Sequence, residues 1–307
     1  MGVKGADVVV LDATVIIPTF DRADLLQQTL SGLTRQDCRS FEVVVADDGS
    51  TDGTDQVVAA FADRLPIRYL FQPDLGHRVA AARNLGIRAA SGDVCVMLDC
   101  GMLPGTGLVS GHVRVHRRSA DRVAVVGYSW AFRGAPELAP EVIAAIDHRD
   151  VDASISRLAV AGPTGRDMRE EYFYDRYGED LSTQLAPWLA FWGCNISVRR
   201  EDLFVVGLFD EVYRRWGFED LDLGYRLFRA GLRFELCRAA AAVHVPHDME
   251  DAAIKQLDTV NKRYFHTKFR NRVSELLLAA RYNLEVNGLL QAEAAGLAAR
   301  ETSAAPA

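Results

Sequence analysis

The 307-residue sequence lacks any run of about 20 apolar residues, so no segment reads as a membrane-crossing helix. Cysteine is scarce: Cys38, Cys95, Cys100, Cys194 and Cys237 are odd in number, scattered and without CxxC spacing. That pattern excludes a disulfide framework and a zinc knuckle, and it fits a reducing compartment. Positive charge is short as well. Lys and Arg number 35 against 42 Asp and Glu, a formal net charge of −7, which excludes broad nucleic-acid binding through phosphate neutralisation. The first residues carry no basic-then-apolar leader, and Ala6 stands where a myristoylation signal needs Ser or Thr. A cytoplasmic protein is expected. No internal repeat is found, and neither a GxGxxG fingerprint nor a GxxxxGK[ST] loop follows the first strand.

What is present is an apolar fraction large enough for one α/β domain, 49% hydrophobic against 25% charged. Apolar, largely β-branched runs at 14–17, 41–46, 67–71 and 94–98 predict four strands. A first helix follows from Leu25, Leu26, Thr29, Leu30 and Leu33 on one face, with Asp21 as N-cap. A second runs through Val57, Val58 and Phe61, and an Ala-rich third covers 78–90. Alternation of this kind implies βαβ units and a mainly parallel sheet. Beyond residue 252, Leu257, Val260, Tyr264, Phe265, Phe269, Val273, Leu276 and Leu277 recur at helical spacing. They predict a helical extension that packs on the domain or on a second subunit.

Ligands of such sheets bind beyond the carboxyl ends of the strands. Polar residues gather there: Thr19 and Asp21 after the first strand, Asp47 and Asp48 after the second, Asp99 after the fourth. Asp48 can accept from a base N–H, and Asp99 from ribose hydroxyls, or it can hold a cation. Residues 47–50 taken alone read rather as an ordinary turn with a helix cap. Four segments in order, 15–22, 43–52, 81–86 and 97–100, shift that balance. Together they resemble the family 2 glycosyltransferases of the GT-A fold, over roughly residues 14–247. The resemblance implies an α/β GT-A fold, a mixed, mainly parallel sheet flanked by helices, with a nucleotide-sugar donor whose base is expected to be uridine. It assigns Pro18, Thr19, Phe20, Arg22, Asp48, Arg83, Asn84, Asp99 and Cys100 to the donor, Asp99 being the first acid of the DxD motif.

Gly101 stands where the family places the second DxD acid, a ligand of Mn²⁺ or Mg²⁺. Either a divalent metal binds with fewer protein ligands, Asp99 and His244, or Arg, Lys and backbone N–H groups neutralise the diphosphate. His247 is the weaker alternative to His244. His112 and His116, at i and i+4, lack the glutamate of an HExxH motif and are expected on a helix surface.

Residues 191–197, 207–210 and 216–226 resemble the galactosyltransferase-like acceptor half of chondroitin-type and β1,4-type inverting enzymes. Leu221, Gly224, Tyr225 and Phe228 share one helical face, which puts Glu219 and Asp220 in the first turn. Carboxylates there also complement the helix dipole without further purpose. Trp216 adds a plate for sugar stacking, and Gly217 permits close backbone approach. The expected assignment is Asp220 as general base, Glu219 on donor or acceptor hydroxyls, and Trp216, Gly217 and Trp192 on the acceptor. Single displacement with inversion is expected, with retention left open because some retaining enzymes share the fold. The acceptor expected is a small molecule such as a secondary metabolite in antibiotic biosynthesis. An oligosaccharide end, or a degenerate nucleotide-sugar binder without turnover, are the alternatives.

The irregular region 130–185 carries a charged aromatic stretch, 169–180, expected as an acceptor-side loop or a solvated helix. The implied organisation is a GT-A domain over 1–250, with a nucleotide-sugar half at 13–128 and an acceptor half at 129–250. A helical extension over 251–307 then frays at its tail and offers a homodimer contact.

Overall fold

The structure, a computed structural model, describes residues 11–132, 140–246 and 251–304. His247 falls outside them. The strands are β1 (Ala13–Thr19), β2 (Phe41–Asp47), β3 (Ile67–Phe71), β4 (Val94–Leu98), β5 (Met102–Pro104), β6 (Val123–Trp130), β7 (Asn195–Arg199) and β8 (Arg233–His244). They form one 8-stranded sheet in the order β3-β2-β1-β4-β7-β6-β8-β5. β3, β2, β1 and β4 are mutually parallel. β7 runs antiparallel to β4 and β6, β8 runs parallel to β6, and β5 closes the edge antiparallel to β8. The sheet is mixed and mainly parallel, as expected. The division at 128/129 falls inside β6, so the two halves share one sheet.

The helices are α1 (Ala23–Leu33), α2 (Thr54–Ala59), α3 (Val79–Ala89), α4 (Leu108–Arg118), α5 (Pro140–Ala144), α6 (Val151–Val160), α7 (Asp175–Tyr177), α8 (Arg200–Val205), α9 (Glu219–Arg229), α10 (Asp251–Phe269), α11 (Arg272–Ala279) and α12 (Val286–Ala304). None of them is long and apolar enough to cross a membrane among the described residues.

Alternation along β1 sends Val15 and Ile17 to one face and Ile16 to the other. The first face packs Leu26, Leu30 and Leu33 of α1 with Leu108 and Val109 of α4. The second packs Ala80 and Ile87 of α3, Leu221 and Leu227 of α9, and Phe265, Leu276 and Leu277 of the C-terminal helices. Burying one such large side chain contributes about 1.5–3 kcal/mol. The C-terminal extension therefore completes the core of this same chain.

Three local expectations are corrected. Asp21 does not cap α1: Arg22 occupies that position without a side-chain cap bond. The free Ala23 N–H is met instead by Asp52 Oδ2 at 2.8 Å, from another loop. Residues 169–180 are neither a loop nor solvated at their start, because Arg169, Phe173 and Tyr174 are buried around a π-turn. Asp167 compensates the Arg169 charge at 2.5 Å, which is what lets a guanidinium enter the interior.

The third correction concerns His112 and His116, which are fully buried rather than on a surface. His112 Nε2 bonds Asn195 Oδ1 at 2.9 Å, and its Nδ1 faces Ser197 Oγ at 2.9 Å. His116 Nε2 lies 2.9 Å from the same hydroxyl. Asn195 Oδ1 only accepts, so His112 donates through Nε2 and accepts from Ser197 through Nδ1. Burial keeps both rings neutral under the sheet, and the partners on β7 fix their orientation.

Candidate active site

Parallel β1, β2 and β4 bring their carboxyl ends to one edge, which carries Thr19, Asp48 and Asp99. β7 runs the other way, so the residues leading into it reach the same edge; Asp99 N–H donates to Cys194 O at 3.1 Å. β8 ends there too, with His244 opposite Met102. Sheet topology alone gathers these distant segments.

On the donor side two loops are laced together. Asp48 N–H donates to Thr19 O at 2.9 Å, and Asp21 N–H to Ser50 Oγ at 2.8 Å. Asp47 is buried and builds the turn, accepting from Gly49 N and Ser50 N. Asp48 accepts from Gln72 Nε2 at 2.6 Å, Arg78 N at 2.7 Å and Arg78 Nη2 at 3.0 Å, so segment 72–78 holds it in place. The pair thus divides: Asp47 folds the turn, and Asp48 is buried and bonded to segment 72–78. Pro18 and Thr19 close β1, Phe20 stands half exposed after them, and Arg22 is exposed at the start of α1. The Cys100 thiol contacts Arg22 O at 3.6 Å, and burial pushes its pKa up to about 12, so it stays a thiol.

Arg83 is the centre of the arrangement. It is buried on α3 and donates through Nη2 to Asp99 Oδ1 and through Nη1 to Glu219 Oε1, both at 2.8 Å. Its guanidinium also lies 5.3 Å from the Phe209 ring. The carboxylates on either side hold its pKa well above the ordinary value despite burial. Gly193 is required for this passage, since a Cβ there would sit 2.5 Å from Arg83 Nη2. Asn84 next to it faces a different task. Its Nδ2 donates to Phe209 O, and its Oδ1 accepts from Phe209 N, both at 2.9 Å. The amide expected beside the nucleotide is engaged in fastening the loop before α9.

Glu219 and Asp220 open α9, and Glu219 is buried while Asp220 is partly so. Asp220 Oδ2 accepts from Gly193 N at 2.9 Å and Oδ1 from Leu221 N at 2.7 Å. Burial first, then the negative charge of Glu219, holds the Asp220 carboxyl well above the usual carboxylate range. Arg83 thus bonds Asp99 to Glu219, and the adjacent Asp220 bonds Gly193, at the same edge that carries Asp48. Trp216 is 47% exposed ahead of α9. Trp192 is half-buried, donates its indole N–H to Leu189 O at 2.9 Å, and faces Phe132 at 5.8 Å.

Gly101 has φ +93°, a conformation that disfavours a side chain, and its carbonyl accepts from Val245 N at 2.9 Å. His244 is thereby held beside the turn that carries Asp99, with the Phe132 ring 4.9 Å away. An imidazole nitrogen beside a carboxylate oxygen suits Mn²⁺ better than Mg²⁺, which takes an all-oxygen shell. Among the described residues no group of three His, Cys, Asp or Glu could hold a metal. Phe132 and Asn261 were not evident from sequence, having no chemistry-bearing spacing, and Gly193 lay within the 191–197 segment without a role until the packing against Arg83 gave it one.

The chain matches the profile of glycosyl transferase family 2 over residues 14–204 and that of the N-terminal domain of galactosyltransferase over 181–248. It is 38% identical over 268 residues to a validoxylamine A glucosyltransferase of Streptomyces hygroscopicus subsp. jinggangensis, covering 87% of this chain. It spans 63% of that relative's length. It is 32% identical to the chondroitin synthase of Escherichia coli over 75% of this chain and 34% of that one. A mannosyltransferase from Pyrobaculum calidifontis, solved with GDP-Man and Mn²⁺, superposes with a TM-score of 0.60 at 21% identity. That match covers 96% of this chain and 80% of the other and shows the fold to be GT-A. The profile match alone spans more than half of the sequence, and the chain belongs to glycosyl transferase family 2.

Proposed function

We propose that this protein transfers a hexose from a nucleoside diphosphate, uridine in the first instance, to a hydroxyl of a small acceptor, with inversion. The observation that carries this reading is the Arg83 bridge, which ties Asp99 at the sheet edge to Glu219, the residue next to Asp220 in the first turn of α9. Asp220 is the base. Its raised pKa suits proton uptake near neutrality, and each of its oxygens keeps a lone pair beyond the bonds to Gly193 and Leu221. The acceptor oxygen attacks the anomeric carbon as its proton passes to Asp220. The bond from that carbon to the phosphate oxygen breaks, and the diphosphate leaves with the electron pair. The transition state is oxocarbenium-like.

Arg83 is engaged with two carboxylates, so it is not the counter-charge of the diphosphate. Asp99 and His244 would hold a divalent cation there, which when bound supplies positive charge to the leaving group. The relative named for glucosyl transfer to validoxylamine A supports a small acceptor. The similarity to chondroitin synthase favours an oligosaccharide end as the second reading.

The test is a donor and acceptor panel with and without chelator, run on the parent chain and on Asp220→Asn. The variant should keep donor binding while turnover falls by about 10²–10⁴-fold, the range of general base catalysis. Turnover close to that of the parent removes Asp220 from the mechanism. Donor binding without turnover under every metal condition identifies a degenerate binder.

A further inference from the structure

One face of α10 covers the loop that leads into α9. Asn261 is buried, and its Nδ2 donates to two successive carbonyls, Gly217 O at 2.7 Å and Trp216 O at 3.1 Å, with Arg215 O at 3.5 Å beside them. One turn on, Phe265 meets the Phe218 ring at 5.8 Å and stacks on Trp188 at 5.9 Å. Further along, Lys268 Nζ reaches Asp210 and Asp222, each at 2.7 Å, and Tyr264 OH donates to Asp210 at 2.9 Å. Asn261, Phe265 and Lys268 lie at i, i+4 and i+7, which is one stripe of a helix.

The loop beneath needs such a hold. Gly217 and Phe218 are both left-handed, at φ +85° and +77°, and the second is a bulky residue that does not choose this region unaided. The two turns direct the Trp216 side chain away from the core, to 47% exposure, while Phe218 is buried. The Trp216 and Gly217 carbonyls are partly buried under α10, and the Asn261 amide is the donor that meets them. A primary amide fits because its N–H₂ can serve two closely spaced oxygens, which a hydroxyl cannot.

We propose that Asn261 is a positioning residue for the acceptor platform: α10 fixes Trp216 and Gly217, and through them where the acceptor hydroxyl lies relative to Asp220. This rests on the transferase reading above, and its test is built to fail separately. In the full chain, hydrogen exchange is followed in parent, Asn261→Ala, Asn261→Gln and Tyr264→Phe. Tyr264→Phe removes a bond from the same helix without touching the loop carbonyls, and so reports general loosening of α10. The Asp222 amide, whose bond to Phe218 O at 2.9 Å ties the loop to α9, should exchange about tenfold faster in Asn261→Ala, the scale of one lost hydrogen bond, with the β1 and β4 amides unchanged. Asn261→Gln should recover part of the protection and Tyr264→Phe should leave it intact. Unchanged exchange at Asp222, or the same change in Tyr264→Phe, overturns the inference whatever the enzyme does.

With a working acceptor, Asn261→Ala should raise the acceptor KM about tenfold, by the same hydrogen-bond scale, while donor affinity holds. Failure of the parent chain to transfer any sugar counts against the transferase reading and leaves the exchange result to decide this one. Transfer with parental acceptor KM in Asn261→Ala overturns this inference alone.

Discussion

Arg83 donates to Glu219 at 2.8 Å although 136 residues separate them in the chain. The same guanidinium holds Asp99 at the sheet edge. Replacing it with methionine keeps the volume and removes the charge, leaving buried Glu219 without a counter-ion. Arg83→Met should lower unfolding free energy by about 3 kcal/mol, the lower end for a broken buried pair because Asp99 is partly solvated. Urea unfolding measures this, and a loss under about 1 kcal/mol, the scale of an exposed pair, would show the bridge to be incidental.

Gly193→Ala is a milder probe of the same bridge. The new Cβ would lie 2.5 Å from Nη2 and 2.7 Å from Cζ of Arg83, so the guanidinium must move. Displacement on the order of 1 Å near reacting groups costs about 10²-fold in rate. Steady-state kinetics should show kcat down by that order with stability little changed. Parental kcat would mean that Arg83 position does not matter to turnover.

The pH dependence of turnover follows from the Asp220 carboxyl. Its pKa is raised by burial and then by Glu219, and only the ionised form takes a proton. Activity should therefore rise with pH along a limb displaced toward neutrality from the usual carboxylate value of about 4. Glu219→Gln removes one of the two causes, so the limb should move to lower pH. A limb that stays put in that variant assigns the titration elsewhere.

Acid stability depends on the histidines under the sheet. Burial lowers the His112 pKa from 6.5 to about 4 and that of His116 to about 3. Once unfolded, each ring takes a proton below about pH 6.5, whereas the native rings resist until far lower. Their contribution is present above pH 6.5 and is lost as pH falls toward 4. For His112 the loss is roughly 3 kcal/mol at the acid end. In His112→Gln the slope of unfolding free energy between those values should flatten. An unchanged slope would show that His112 is not buried neutral.

Much of this fold was readable in advance because β1, β2 and β4 are buried on both faces and leave continuous apolar runs, as at 14–17 and 94–98. Asp99, Glu219 and Asp220 were readable because carboxylates at a strand end and at a helix start are chemically conspicuous. His112 and His116 were misplaced for the converse reason. Their partners, Asn195 and Ser197, lie more than 80 residues away, so helical spacing alone showed polar groups and a surface. Arg169 misled likewise until Asp167 appeared as its buried counter-ion. Asn84 was legible as important and illegible as to why, since its bonds run to the Phe209 backbone, which has no side-chain signature.

The stripe Asn261, Phe265 and Lys268 also bears on how such a protein can be recombined. A chimera that grafts another relative's C-terminal helices onto this sheet would separate Asp210, Trp216, Gly217 and Asp222 from the side chains that grip them. Segments 207–222 and 261–268 are one unit of inheritance, and a viable crossover lies before the first or after the second.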